Sequence, residues 1–139
     1  MALQTQISFD ANDPAGLARF WASALGYVEQ PPPQGFDSWQ AFAIAMNIPS
    51  EVWDRFAAII DEDGAGPRVL FQKVPEGKTA KNRLHLDISA SAPDHDWSKV
   101  EAHVRLLADA GATVVEERQD EMSKWVVLLD PEGNEFCVQ

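Results

Sequence analysis

The sequence predicts an α+β fold of two β-α-β-β-β units in one domain of 139 residues, with module one at about 1–75, a connector at 76–82 and module two at 83–139. Three observations predict it. A strand-like alternation leading into an amphipathic helix occurs twice, once from residue 3 and once from residue 83. Each helix is followed by short strand-like runs punctuated by Pro, Gly and Asp turns. The stretch between the copies, Pro75-Glu76-Gly77-Lys78-Thr79-Ala80-Lys81-Asn82, is polar and has no apolar period, as a boundary should be.

In chain order, residues 3–10 alternate Leu3, Thr5, Ile7 and Phe9 against Gln4, Gln6, Ser8 and Asp10, the pattern of a half-buried strand whose polar face can hold chemistry. Asp13-Pro14 supplies an N-cap and a first-turn proline, and Leu17, Phe20, Trp21, Ala24 and Leu25 form the apolar stripe of a helix that Gly26 ends. Residues 27–30 read as a short strand before three prolines. Residues 38–46 and 50–56 look helical on either side of Pro49, and the role of about 34–55 is open. Residues 57–61 and 69–74 read as a hairpin around Asp61-Glu62-Asp63-Gly64.

The second copy opens at 83–89, where Leu84, Leu86 and Ile88 oppose His85, Asp87 and Ser89. Trp97, Val100, Val104 and Leu107 mark the next helix. Asp94, Asp96 or Ser98 can cap it, Ser98 with Glu101 spells a capping box, and Gly111 closes it. Residues 113–116, 125–130 and 135–138 are strands, the last two joined by the turn Asp130-Pro131-Glu132-Gly133-Asn134.

Composition narrows the function classes. Against 22 acidic residues stand 11 basic ones, a net charge of −11, which repels phosphate backbones and anionic membranes, so nucleic acid and membrane are not expected partners. No apolar run approaches the roughly 20 residues that span a bilayer, and the start Met-Ala-Leu-Gln-Thr-Gln lacks the pattern of a secretion signal, so the expected location is cytoplasmic. Cys137 is the single cysteine, which excludes an intrachain disulfide and an all-Cys zinc site. No Gly-rich phosphate loop or Ser-His-Asp constellation is evident.

Three stretches together resemble the glyoxalase-like branch of the vicinal oxygen chelate superfamily: Asp13-Pro14 through Phe20-Trp21 to Leu25-Gly26-Tyr27, Phe71 to Lys78 with Lys81-Asn82-Arg83-Leu84-His85-Leu86-Asp87, and Asp130-Pro131-Glu132-Gly133-Asn134-Glu135-Phe136-Cys137. The resemblance implies paired modules curling into an open, cup-like mixed sheet, frequent dimers, and a small-molecule ligand in the cup. It also implies a divalent metal held by inward residues of each module's first strand and of the last strand. Here these positions carry His85, Gln6 and Cys137, the last in place of the glutamate the family commonly uses. A thiolate there would shift preference toward softer metals such as zinc.

The residues themselves leave alternatives open. His85 shares a strand face with Asp87, which suits a ligand or general base with a fixed tautomer, and equally a hydrogen-bonded structural histidine. Cys137 is a metal ligand or a small buried hydrophobe. Gln72, on the face of Leu70 and Val74, lines a pocket or is an edge amide. Gln6 and Ser8 are ligand-binding candidates, and Trp39, Trp53 and Trp125 are candidate ligand walls, whereas Trp21 and Trp97 belong to helix stripes. His95 falls in a loop and His103 at a stripe's edge, so a two-histidine iron site has no second histidine. Arg68, Lys73, Lys78, Lys81 and Arg83 reverse the local charge, to draw an anionic ligand, to pair with an acidic surface of a second subunit, or as a solvated connector. The expected function is a glyoxalase-like enzyme, a lyase or isomerase on a small oxygenated molecule, with His85 and Asp87 catalytic. A metal-free binding or drug-sequestering protein is the alternative, and a structural dimer the third reading.

Overall fold

The computed structural model describes residues 1–139. In the first module β1 is Gln6–Ala11, α1 Pro14–Leu25, β2 Val28–Glu29, α2 Trp39–Ala45, β3 Phe56–Ile60 and β4 Arg68–Lys73. In the second, β5 is Asp87–Ile88, α3 Trp97–Asp109, β6 Thr113–Gln119, β7 Lys124–Leu129 and β8 Glu135–Val138. The strands form two four-stranded mixed sheets of matching topology, ordered β1-β4-β3-β2 and β5-β8-β7-β6. In each, the module's first and last strands pair parallel and the remaining pairs are antiparallel. The chain divides into two compact units, Met1–Ala22 with Gly26–Gly77, and Ser23–Leu25 with Lys78–Gln139.

In the first unit, alternation along β1 sends Phe9 and Ala11 inward and leaves Gln6, Ser8 and Asp10 exposed. Phe9 lies between Trp21 of α1 and Phe71 of β4, at ring-centroid distances of 5.1 and 5.2 Å, and this aromatic contact seats the helix on the sheet. The Asp13 carboxylate accepts the Gly16 N–H as N-cap, Pro14 starts the helix, and Gly26 ends it at φ 69°, a left-handed conformation that glycine adopts without Cβ strain. The strand begins later than the alternation suggested, at Gln6, with Leu3 in solvent.

In the second unit α3 lies against β6 and β8 and buries Val100 and Leu107, and Val126, Leu128, Phe136 and Val138 of the sheet are buried as well. Three local expectations are corrected here. The alternating run at 83–89 yields a strand of only Asp87–Ile88, paired with Cys137 and Val138, and Leu84 near its start is exposed. The Ser98-Glu101 capping box does not form, because Asp96 is the N-cap and accepts both the Ser98 N–H and its hydroxyl. The strand read at 113–116 runs on to Gln119, its alternation hidden by a bulge between Val114 and Glu116. In the first unit, residues 50–56 are a single 3-10 turn, Ser50–Val52, since Arg55 already accepts the Lys73 N–H at the sheet edge. No helix is long and apolar enough to cross a membrane.

Candidate functional site

In the second unit the parallel pairing of β5 with β8 sets Asp87 directly beside Cys137. His85, two residues earlier and on the same face, brings its Nδ1 to 3.2 Å from Asp87 Oδ1. The imidazole nitrogen, carboxylate oxygen and thiol sulfur all lie within 4.8 Å of one another. Backbone pairing fixes this cluster: Cys137 N–H donates to Leu86 O at 3.0 Å, and Gln139 N–H to Ile88 O at 2.9 Å. His85 and Asp87 are exposed and Cys137 half-buried. Burial raises the Cys137 thiol pKa, and Asp87 adds to the rise through its charge and a hydrogen bond, against the weaker pull of Arg118 and Lys81. Without a cation, therefore, the thiol keeps its proton at neutral pH.

The donor set suits a divalent cation. An imidazole nitrogen, a thiolate and a carboxylate oxygen are zinc-type ligands, and they converge on one spot. Asp87 can equally stay behind His85, where accepting Nδ1–H leaves Nε2 to carry the lone pair. Glu135, the acid closest to the position where the resemblance implies a chelating glutamate, is engaged elsewhere. Its carboxylate accepts the Asn82 N–H at 2.9 Å and pairs with Lys78 at 3.1 Å, and the Asn82 N–H above all, with Lys78 adding, holds its pKa at about 2. Residues 78 and 82 of the polar connector are thereby tied to β8.

On the same sheet face β7 presents Trp125, Val127 and Leu129, half-buried beside the cluster's strand. Next to them β6 carries Glu116 and Arg118, whose Nε donates to Glu116 Oε1 at 2.8 Å. Arg118 escaped the sequence reading because the bulge broke the alternation that would have placed it on this face.

The other expected residues belong to the first unit. Gln6 Oε1 accepts from Arg68 Nη1 at 2.5 Å and its Nε2 donates to Ser8 Oγ at 3.3 Å. Gln72 donates to Asp10 Oδ1 at 2.7 Å, so that amide serves a cross-strand pair. Trp39 lies half-exposed on α2, its indole N–H bound to Gln30 O at 2.8 Å. Of the expected metal set, then, His85 and Cys137 stand together with Asp87 in one unit, and Gln6 stands in the other with its carboxamide engaged by Arg68 and Ser8.

These two sheets of matching topology define a paired-module fold of the glyoxalase type, and sequence and structure comparisons agree. The family of glyoxalase-like domains matches residues 6–139, and the chain belongs to it. No protein of curated function matches the sequence. Among solved structures, a glyoxalase/bleomycin resistance/dioxygenase family enzyme from Burkholderia phytofirmans PsJN is similar at 17% identity and TM-score 0.65, covering 96% of this chain and 94% of that one. A possible glyoxalase from Bacillus cereus is similar at 14% identity and TM-score 0.64, over 100% and 99%. The fosfomycin resistance protein FosX from Listeria monocytogenes, complexed with Mn(II) and 1S,2S-dihydroxypropylphosphonic acid, is similar at 10% identity and TM-score 0.65, over 100% and 90%. At these identities the likeness concerns the fold.

Proposed function

We propose that the chain is a glyoxalase-like enzyme that acts on a small oxygenated organic molecule by proton transfer or isomerisation next to a carbonyl, with a divalent cation at His85 and Cys137. The observation that carries the proposal is the convergence of His85, Asp87 and Cys137 within 4.8 Å. A bound cation would polarise the substrate oxygen. The chain's own part is to hold and move a proton. With the His85 proton on Nδ1 and donated to Asp87, the single Nε2 lone pair either holds the cation or takes the substrate proton, and Trp125, Val127 and Leu129 give an apolar bed beside it. That a FosX structure of this fold holds Mn(II) and a small oxygen-rich acid supports this substrate class.

The proposal includes a homodimer. It is supported by β6, an edge strand exposed along its whole length with Val114 and Val115 half in water.

The catalytic part is tested by zinc-loaded protein in D2O with a panel of 2-hydroxy and 2-oxo carbonyl compounds, following deuterium entry beside the carbonyl by NMR. Wild type is expected to exchange at least one compound faster than His85→Ala and Asp87→Asn by roughly tenfold or more. Equal rates in all three proteins contradict it.

One observation favours a second reading, a metal-free binder. Burial and Asp87 keep the Cys137 thiol protonated, so the cluster is satisfied without a cation. Stoichiometric binding of a panel compound with no exchange at any metal loading would select it.

A further inference from the structure

Of the five basic residues that reverse the local charge, the structure separates the occupied from the available. Lys73 pairs with Asp54 and Lys78 with Glu135. Arg68, half-buried on β4, has no acidic partner. Its Nε donates to Gln30 Oε1 at 2.7 Å and its Nη1 to Gln6 Oε1. Both acceptors are neutral carboxamides.

A guanidinium has five N–H donors, and here two are engaged. Both N–H groups of Nη2 and one of Nη1 have no acceptor in the chain. The planar group is braced from two sides, so its rotamer freedom is already restricted before anything binds. Had glutamates stood at 6 or 30, they would have neutralised the charge; glutamines hold the fork in place and leave the charge intact. In a chain of net charge −11 an unpaired, partly desolvated arginine is an exception, and a half-buried cation without a counterion is costly.

The neighbours define the ligand. Ser8 Oγ accepts from Gln6 Nε2, which leaves its own O–H to donate. Register places Leu70 beside Ser8 on one side and Ala58 on the other, and Phe56, 60% exposed, follows on the same face. At the far end of β1, Asp10 is held by Gln72 and repels an anion from that end. A cationic fork and a hydroxyl thus adjoin an apolar strip.

We propose that Arg68, braced by Gln6 and Gln30 and assisted by Ser8, binds the carboxylate of a small amphipathic organic acid whose apolar body lies over Leu70, Ala58 and Phe56. Arg68 is a binding and specificity residue, and the site lies wholly in the first unit.

The probe is benzoate, with benzamide as its uncharged isostere and inorganic phosphate as the other oxyanion, titrated by NMR against metal-free protein. Benzoate is expected to bind wild type more tightly than benzamide by roughly tenfold or more, the scale of a charge-assisted bidentate contact. Arg68→Gln should weaken benzoate by a similar factor, and Arg68→Lys by less. Gln30→Leu leaves the charge but removes a brace and should weaken it several-fold, which keeps the test decisive if Arg68→Gln misfolds on a thermal melt. The proposal fails if benzoate and benzamide bind alike or not at all, if Arg68→Gln and Gln30→Leu bind as wild type does, or if phosphate matches benzoate. No metal or turnover enters the test, so its failure leaves the His85 reading untouched.

Discussion

Cys137 is the residue on which the chemistry of the His85 cluster turns. As a thiol it is half-buried and raised above its ordinary pKa of 9.0 by burial and then by Asp87, so a cation must displace a proton to use it. Zinc affinity should therefore climb as pH rises from about 6 toward the thiol's pKa, because proton competition falls, and Cys137→Ser should flatten that dependence and weaken zinc by roughly tenfold or more. Competition with a chromogenic chelator across pH measures both, and a pH-independent affinity in wild type would remove Cys137 from the ligand set. The face of His85 and Asp87 was legible from strand phase alone, since period two puts both on one side. Their meeting with Cys137 was not, because it depends on the parallel register of β5 with β8, which no local pattern encodes. Arg68 was legible as a charge and not as a partnerless one. Its lack of an acid follows only from which side chains the sheet places around it.

Among the elements, the β7-β8 turn is held by one side chain. The buried Asp130 carboxylate accepts the Glu132 and Asn134 N–H groups at 2.9 and 3.0 Å and the Asn134 carboxamide at 2.9 Å. Asp130→Ala leaves those donors unmatched and should cost about 1–3 kcal/mol in urea unfolding, with Cys137 losing its fixed place on β8. Glu135 contributes a pH term of stated sign. Its folded pKa of about 2 lies below the ordinary 4.5, so its stabilisation is complete above 4.5 and is lost as pH falls toward 2. Glu135→Gln should lose that slope in melts between those pH values; a slope equal to wild type's would show that Asn82 and Lys78 do not hold the group. Helix α1 was readable to the residue because Asp13, Pro14 and Gly26 are local signals with local effects. Strands β5 and β6 were misjudged in opposite directions: β5 pairs over only two residues of its alternating run, and β6 pairs beyond the point where a bulge breaks its alternation.

At the level of the whole molecule, repetition was the strongest signal. Two alternating runs, each leading into a capped helix, specify two modules, and the structure gives each one a four-stranded sheet of matching order. The proposed homodimer predicts twice the 15.4 kDa chain mass by light scattering, and Val114→Lys with Val115→Lys on the exposed edge strand should shift it toward the single-chain mass. A wild type that runs as one chain at high concentration contradicts the dimer. The central claim, a cation held at His85 and Cys137, is tested most directly by elemental mass spectrometry of protein purified without chelator or metal-affinity resin and then supplied with divalent ions. Wild type should carry close to one divalent cation per chain, with zinc favoured, and His85→Ala and Cys137→Ser should carry almost none. The same metal content in all three, or none in wild type after loading, would contradict it.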